Sequence, residues 1–302
     1  PGGALAGRPE LLPVTEPLFR PGTDADIDQV AELLHLHMNR KVPPAVFRRL
    51  MDYGWAGEKP HVGMVAEARG EIVGFHGNVY STRFIEGTPR LFGSFTSLYV
   101  HRDWRGHDLG LKMMRTYEAR TDVTYTVFDP SKRVHGILES CGFRDLDTHR
   151  RLWTPDGRPG DVEVIEGIDR IGPRVPAEEQ RYLLDHRDMK AFPVLLSGDA
   201  GEVLTFFLQQ DRGDHGFCHD LIYTGDPAKL AAMIDAAAPR ILGDEPRARL
   251  LADERFFAGH ATGGAREPLR YRRMVRRADP ALPDWRVDHL YTETLLIDLK
   301  LG

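Results

Sequence analysis

The stretch Leu98-Tyr99-Val100-His101-Arg102-Asp103-Trp104-Arg105-Gly106-His107-Asp108-Leu109-Gly110 carries the residues best placed to do chemistry. It reads as a strand ending at Val100, a short turn, and a helix opening near Asp108 with Leu109, Met113 and Met114 among its apolar residues. A strand that feeds a helix through an Arg-Gly turn points free backbone N–H groups and the positive end of the helix dipole at one spot. Such a spot suits a phosphate. His76, in Gly74-Phe75-His76-Gly77-Asn78, has an ordinary pKa near neutral and suits proton transfer. Tyr99 offers a hydroxyl to a substrate or donor, or simply packs. Ser131 stands where it can cap the helix after Pro130. Metal chemistry is not indicated: His35 and His37 are two apart on a helix, and His215, Cys218 and His219, flanked by Asp214 and Asp220, lack zinc-finger spacing and a second ligand pair. Cys141 falls on the apolar stripe of its helix, which disfavours an acyl-cysteine role.

The elements that must position these groups can be read in chain order. Pro1 to Pro17 is rich in Pro, Gly and Ala and reads as a poorly anchored arm. Leu18-Phe19-Arg20 is a candidate strand. Thr23 or Asp24 caps a helix through Ile27, Val30, Leu34 and Met38, and Pro43-Pro44 opens a second through Phe47, Leu50 and Met51. Val62 to Ala68 and Ile72 to Tyr80 are strands joined by the tight turn Arg69-Gly70-Glu71, and Ser94 to Val100 is the strand entering the phosphate turn. Val123 to Phe128 is the next strand. Ser131 to Cys141 is a helix with Val134, Ile137, Leu138 and Cys141 on one face, ended by Gly142-Phe143, and Leu146 to Trp153 is the closing strand.

Thr154-Pro155-Asp156-Gly157-Arg158-Pro159-Gly160 is turn chemistry throughout and divides the chain into 1–157 and 158–302. Beyond it a helix at Glu178 to Met189 precedes strands at Phe192 to Leu196, Glu202 to Gln209 and Phe217 to Tyr223, and a helix at Pro227 to Ala238. Gly201-Glu202-Val203-Leu204 echoes Gly70-Glu71-Ile72-Val73, and the order of elements suggests an internal repeat. Leu269 to Val275 and His289 to Leu299 read as late strands. Arg266, Arg270, Arg272, Arg273, Arg276 and Arg277 form a basic segment, a solvated strand face or a docking surface for an acidic carrier protein.

The turn resembles the acyl-CoA-binding turn of the GNAT acyltransferase superfamily, Arg/Gln-x-x-Gly-x-Gly/Ala after a strand of the form Leu-x-Val-x-Pro. Arg105, Gly106, Leu109 and Gly110 fit it, while Asp108 replaces the middle glycine and Arg102 the proline. Ser131, Val134, Leu138 and Gly142-Phe143 match the spacing of the superfamily's last helix, Asn-x-x-Ala-x-x-x-Tyr-x-x-x-Gly-Phe. The resemblance covers about Leu18 to Trp153. It implies an α/β (α+β) fold of tandem GNAT-like domains, each a mixed, mostly antiparallel sheet flanked by helices, the second degenerate and without a CoA turn.

The resemblance further implies an N-acyltransferase that moves an acetyl or other acyl group from acetyl-CoA or another acyl-CoA to a small-molecule amine. Leu98 to Val100 would pair with the pantetheine amides, and Arg105, Gly106, His107, Asp108, Leu109 and Gly110 would hold the pyrophosphate, with Ser131 near the pantetheine arm. His76 and Tyr99 are the catalytic candidates, since the superfamily's tyrosine acid maps to Leu138 and its strand glutamate to Thr96 or Ser97. A carboxylate at Asp108 about 5 Å from a phosphate charge costs about 3 kcal/mol at an effective dielectric of 20. That departure keeps two alternatives open, a donor on an acyl carrier protein and a non-catalytic GNAT-like binding protein.

The 302 residues carry a net charge of −5, which argues against a general nucleic-acid binder. With two cysteines, no apolar run of membrane-spanning length and no signal pattern, the chain reads as soluble and cytoplasmic, with no membrane partner. The second half would close the acceptor site or form a homodimer surface.

Overall fold

The computed structural model describes residues 16–297 apart from 56, 107, 212, 214 and 215; the expectations for residues 1–15 of the arm, for His107 and for Asp214 and His215 lie outside these described residues. Twelve strands form one mixed, mostly antiparallel sheet flanked by helices. In the first half these are β1 (Leu18–Pro21), β2 (Gly63–Ala68), β3 (Glu71–Ile85), β4 (Thr88–Val100), β5 (Val123–Val127) and β6 (Arg144–Trp153), with helices α1 (Ile27–His37), α2 (Pro44–Arg48), α3 (Leu109–Thr116) and α4 (Lys132–Ser140). The second half adds β7 (Glu163–Glu166), α5 (Ile168–Ile171), α6 (Ala177–Asp185), β8 (Ala191–Gly198), β9 (Gly201–Asp211), β10 (Phe217–Thr224), α7 (Pro227–Leu242), β11 (Arg249–Asp253), β12 (Ala265–Arg276) and α8 (Glu293–Ile297).

The strand order is β1-β2-β3-β4-β5-β12-β6-β11-β10-β9-β8-β7. β4 runs parallel to β5 and β10 parallel to β11, and every other neighbouring pair is antiparallel. The order corrects one expectation. β6 does not close the first half beside β5; β12 takes that place through Met274↔Val127, Val275↔Thr126 and Arg276↔Tyr125, while β6 pairs with β11. The halves thus exchange their closing strands and are joined where β6 meets β12.

Side-chain burial explains the exchange. Met274 and Val275 are fully buried, one in the core under α3 and α4 and the other against Phe128, Leu146 and Val287. Beside them Arg255 donates to Asp147 and Asp253, Arg273 donates to Asp253, and His289 lies 3.2 Å from Asp253. Charges this deep persist because each is matched by a hydrogen-bonded partner. The cluster ties β6, β11 and β12 to the C-terminal segment.

One further expectation is corrected. His289 to Leu299 is not a strand: an irregular segment leads to α8, and 298–299 lie outside the described residues. The backbone there bonds out of register, with His289 N–H donating to Ile222 O and the Leu290 carbonyl 2.5 Å from His186 Nε2. The basic segment from Arg266 to Arg277 divides between a solvated face, with Arg266, Arg270 and Arg272 exposed, and the interior. Arg273 is 2% exposed, Arg276 donates to the Tyr117 and Arg120 carbonyls, and Arg266, Arg272 and Arg277 pair with Glu254, Asp145 and Asp284.

Candidate active site

β4 and β5 pair only from Leu91↔Val123 to Ser94↔Thr126 and then part. The cause lies three residues on. Across β3 the register passes from Gly77↔Thr96 to His76↔Leu98, so Ser97 is an extra residue, held at a φ of 37°. A bulge of this kind bends its strand and sharpens the twist. The end of β4 therefore faces β5 with backbone groups that no strand takes up.

A cavity of about 310 Å³ lies at this gap. Thr96, Ser97 and Leu98 of β4 and Val127, Asp129 and Pro130 after β5 form two walls, and Ser131, Val134 and Leu138 of α4 form a third. Met38, Asn39 and Val42 come from the segment between α1 and α2, Phe47 from α2, His76 from β3, and Glu293 and Ile297 from α8. Most of the lining is apolar, so the few polar groups act in a poorly hydrated setting where their charges are costly.

His76 is 3% exposed, edge-on to Phe95 at 4.5 Å and Tyr117 at 5.2 Å, and its Nδ1 has no hydrogen-bond partner. Burial, with the nearby His61 charge, holds its pKa down at about 3. At neutral pH it is an uncharged ring. Tyr99 points elsewhere: it packs with Val30 and Leu34 of α1, stacks on His37 at 6.2 Å and carries the Arg105 guanidinium 5.6 Å above its ring.

In the turn between β4 and α3, Arg105 Nε donates to the Val100 carbonyl at 3.0 Å. Gly106 has a φ of 89°, the left-handed region that glycine tolerates. Asp108 is also left-handed, at 54°, and precedes α3 without a side-chain cap, so its exposed carboxyl does not fold back onto the helix. Leu109 is buried beneath α3, and a Cβ at Gly110 would lie 3.7 Å from Leu98, which shows how closely the helix start approaches β4. Val100, like Trp104 and Phe19, packs against the buried cluster of Ala66, Ala68, Val73 and Met113. Ser131 caps α4, accepting from Val134 N–H at 3.4 Å, and lines the cavity as well.

Glu293 is the group that sequence reasoning missed. Its carboxylate accepts a hydrogen bond from Thr96 Oγ1 and another from the Ser97 backbone, so it sits at the bulge itself. Burial first, then the Asp129 charge, pushes its pKa up to about 8, against the two hydrogen bonds that favour the ionised form. Nothing in the spacing of Glu293-Thr294-Leu295-Leu296-Ile297 singles it out, because its partners are distant in sequence. Cys141 is buried at the end of α4 and its thiol is pushed up by burial, as its stripe position implies. Cys218, His219 and Asp220 are buried on β10, and no cluster fit to hold a metal ion occurs among the described residues.

No family model matches the chain, and no curated protein does. Solved structures do resemble it. A conserved protein of unknown function from Enterococcus faecalis, a probable N-acyltransferase, matches with a TM-score of 0.59 at 9% identity, covering 87% of this chain and 73% of its own. A GCN5-related N-acetyltransferase from Anabaena variabilis gives 0.54 at 8% identity with the same coverage, and Eis1 from Mycobacterium abscessus gives 0.50 at 10%, covering 87% of this chain and 74% of its own. The chain has the GNAT fold. At these identities the likeness is one of fold.

Proposed function

We propose that the protein is an N-acyltransferase that moves an acetyl or other acyl group from an acyl-CoA to the amine of a small molecule. The observation that carries this reading is the parting of β4 from β5 at the Ser97 bulge, which leaves an unpaired strand edge beside the Arg105–Gly110 turn and an apolar cavity between them. The donor's pantetheine amides would pair with the free edge of Leu98 to Val100. Its pyrophosphate would lie at the start of α3, on the backbone N–H groups of the turn and against Arg105. Ser131 lies where the arm would pass.

Holding the thioester carbonyl against the bulged strand aligns it for attack, which is where most of the rate would come from. Neutral His76 would accept a hydrogen bond without adding charge, while Tyr99 would act through packing of Arg105 and not on the reacting atoms. The acceptor would enter on the side formed by α1, α2 and α8. An acyl-CoA-binding half at 1–157, a second half at 158–302 and a cytoplasmic setting belong to the same reading.

The test is release of free thiol from acetyl-CoA and longer acyl-CoAs in the presence of a panel of primary amines. Amine-dependent release supports the reading. Tight acyl-CoA binding without turnover on any amine would instead leave a binding protein.

A further inference from the structure

We propose that Glu293, delivered by the C-terminal helix α8, is the general base of this transfer, so that the second half of the chain completes a site built mainly by the first. The inference rests on the N-acyltransferase reading above. An amine attacking a thioester must lose a proton as the C–N bond forms, and the cavity wall offers three side chains that titrate: His76, Asp129 and Glu293. His76 is held too low to take a proton near neutral pH. Asp129 is exposed just past the end of β5; its carboxyl is raised as well, by loss of hydration against the pull of the Arg273 charge, which makes it the competing base. Glu293 is bound to Thr96 and Ser97 at the bulge, where the unpaired edge of β4 would present the thioester. The neighbouring α1–α2 wall contributes Met38, Asn39, Val42 and Phe47, none of them charged.

In this step the amine nitrogen bonds to the thioester carbon, its proton passes to the Glu293 carboxylate, and the C–S bond breaks. Coenzyme A leaves as the thiolate and takes a proton from solvent. A carboxyl that titrates near 8 is matched to this work, because it holds the proton strongly enough to remove it and releases it again at working pH.

The experiment is the pH profile of kcat/KM for the full-length protein with acetyl-CoA and the best amine of the panel, in wild type, Glu293→Gln, Thr96→Val and Asp129→Asn. The acceptor's own titration is common to all four. The expected result is a limb in wild type that rises through about pH 8. Glu293→Gln should lose that limb and about 10²–10³-fold in kcat while binding CoA unchanged. Thr96→Val, which removes a bond to the ionised form, should move the limb to higher pH, and Asp129→Asn, which removes a neighbouring negative charge, to lower pH. A Glu293→Gln enzyme that keeps the limb, or an Asp129→Asn enzyme that loses it, overturns the proposal. A wild type without turnover on any amine overturns the N-acyltransferase reading beneath it.

Discussion

Thr96 and Glu293 stand 197 positions apart and share a hydrogen bond in the wall of the cavity. That bond joins the last helix of the chain to the bulged strand of the first half. The segment leading to it is held by further contacts: Arg83 pairs with Asp288 in the interior, Tyr291 Oη donates to Asp185 at 2.7 Å, and Arg255 Nε donates to the Val287 carbonyl at 2.7 Å. The anchoring sets where Glu293 lies.

The buried cluster around Asp253 is the first place to test this. Asp253→Asn withdraws the charge shared by Arg255, Arg273 and His289 and leaves two guanidinium groups short of a partner. Breaking a buried pair from one side costs about 3–5 kcal/mol. Urea unfolding should show that loss, and a change below about 1 kcal/mol would show the cluster to be less tightly coupled than its geometry indicates.

Asp108→Gly should act on binding and on the backbone together. The left-handed φ of Asp108 costs a non-glycine residue about 1 kcal/mol, which glycine recovers. Loss of its carboxylate removes about 0.8–3 kcal/mol of repulsion toward a phosphate some 5 Å away, depending on how strongly solvent screens the pair. The variant is expected to bind CoA about 4- to 100-fold more tightly by calorimetry, with a stability equal to or above wild type. Weaker binding would place the pyrophosphate elsewhere.

Acid should destabilise the fold before most carboxylates titrate. Burial holds His76 at about 3 and His61 and His289 at about 4, below the ordinary value near 6.5. Between those values the unfolded chain binds protons that the folded chain refuses, so their contribution is complete above about pH 6.5 and is lost as pH falls toward 4. The slope is about 1.4 kcal/mol per pH unit for each fully buried ring. Urea midpoints at pH 7 and pH 5 measure it, and His76→Gln should reduce the difference. Equal midpoints would contradict the burial assigned to these rings.

Glu293 has the opposite sign. Its folded pKa of about 8 lies above the ordinary carboxyl value, so the stability it contributes is complete below about pH 4 and is lost as pH rises through 8. Gln at this position carries no such loss. Glu293→Gln should match wild type in Tm near pH 4 and exceed it by about 2–4 °C at pH 9, an increment set well below the full shift because the side chain is only half-buried. A variant less stable than wild type at pH 9 would mean that the carboxylate is stabilised in place.

Features governed by neighbours in the chain were legible from the sequence. The Arg69-Gly70 turn has both residues left-handed, Gly142 ends α4 with Phe143 N–H returning to the Leu138 carbonyl, and Ser131 caps the same helix. The turn between β4 and α3 was legible for the same reason, since the order of strand, glycine and helix is local. What escaped was long-range pairing. β12 takes the place beside β5 because Met274 and Val275 bury there and Arg273 meets Asp253, contacts that no periodicity reveals. Glu293 escaped on the same ground: its meaning lies in Thr96, and the alternation of 289–299 suggested a strand where backbone bonds to Ile222 and His186 hold an irregular segment.

The proposed transfer requires an acyl-CoA in the cleft between β4 and β5. Calorimetric titration of acetyl-CoA into the native protein tests it most directly, with a Leu98→Trp variant alongside, because Leu98 lines the cavity and also faces the start of α3. One saturable site of micromolar affinity is expected, displaced by free CoA and lost when the tryptophan fills the cleft while the variant's thermal unfolding remains cooperative. No heat of binding to the native protein, or equal binding by both proteins, would contradict it.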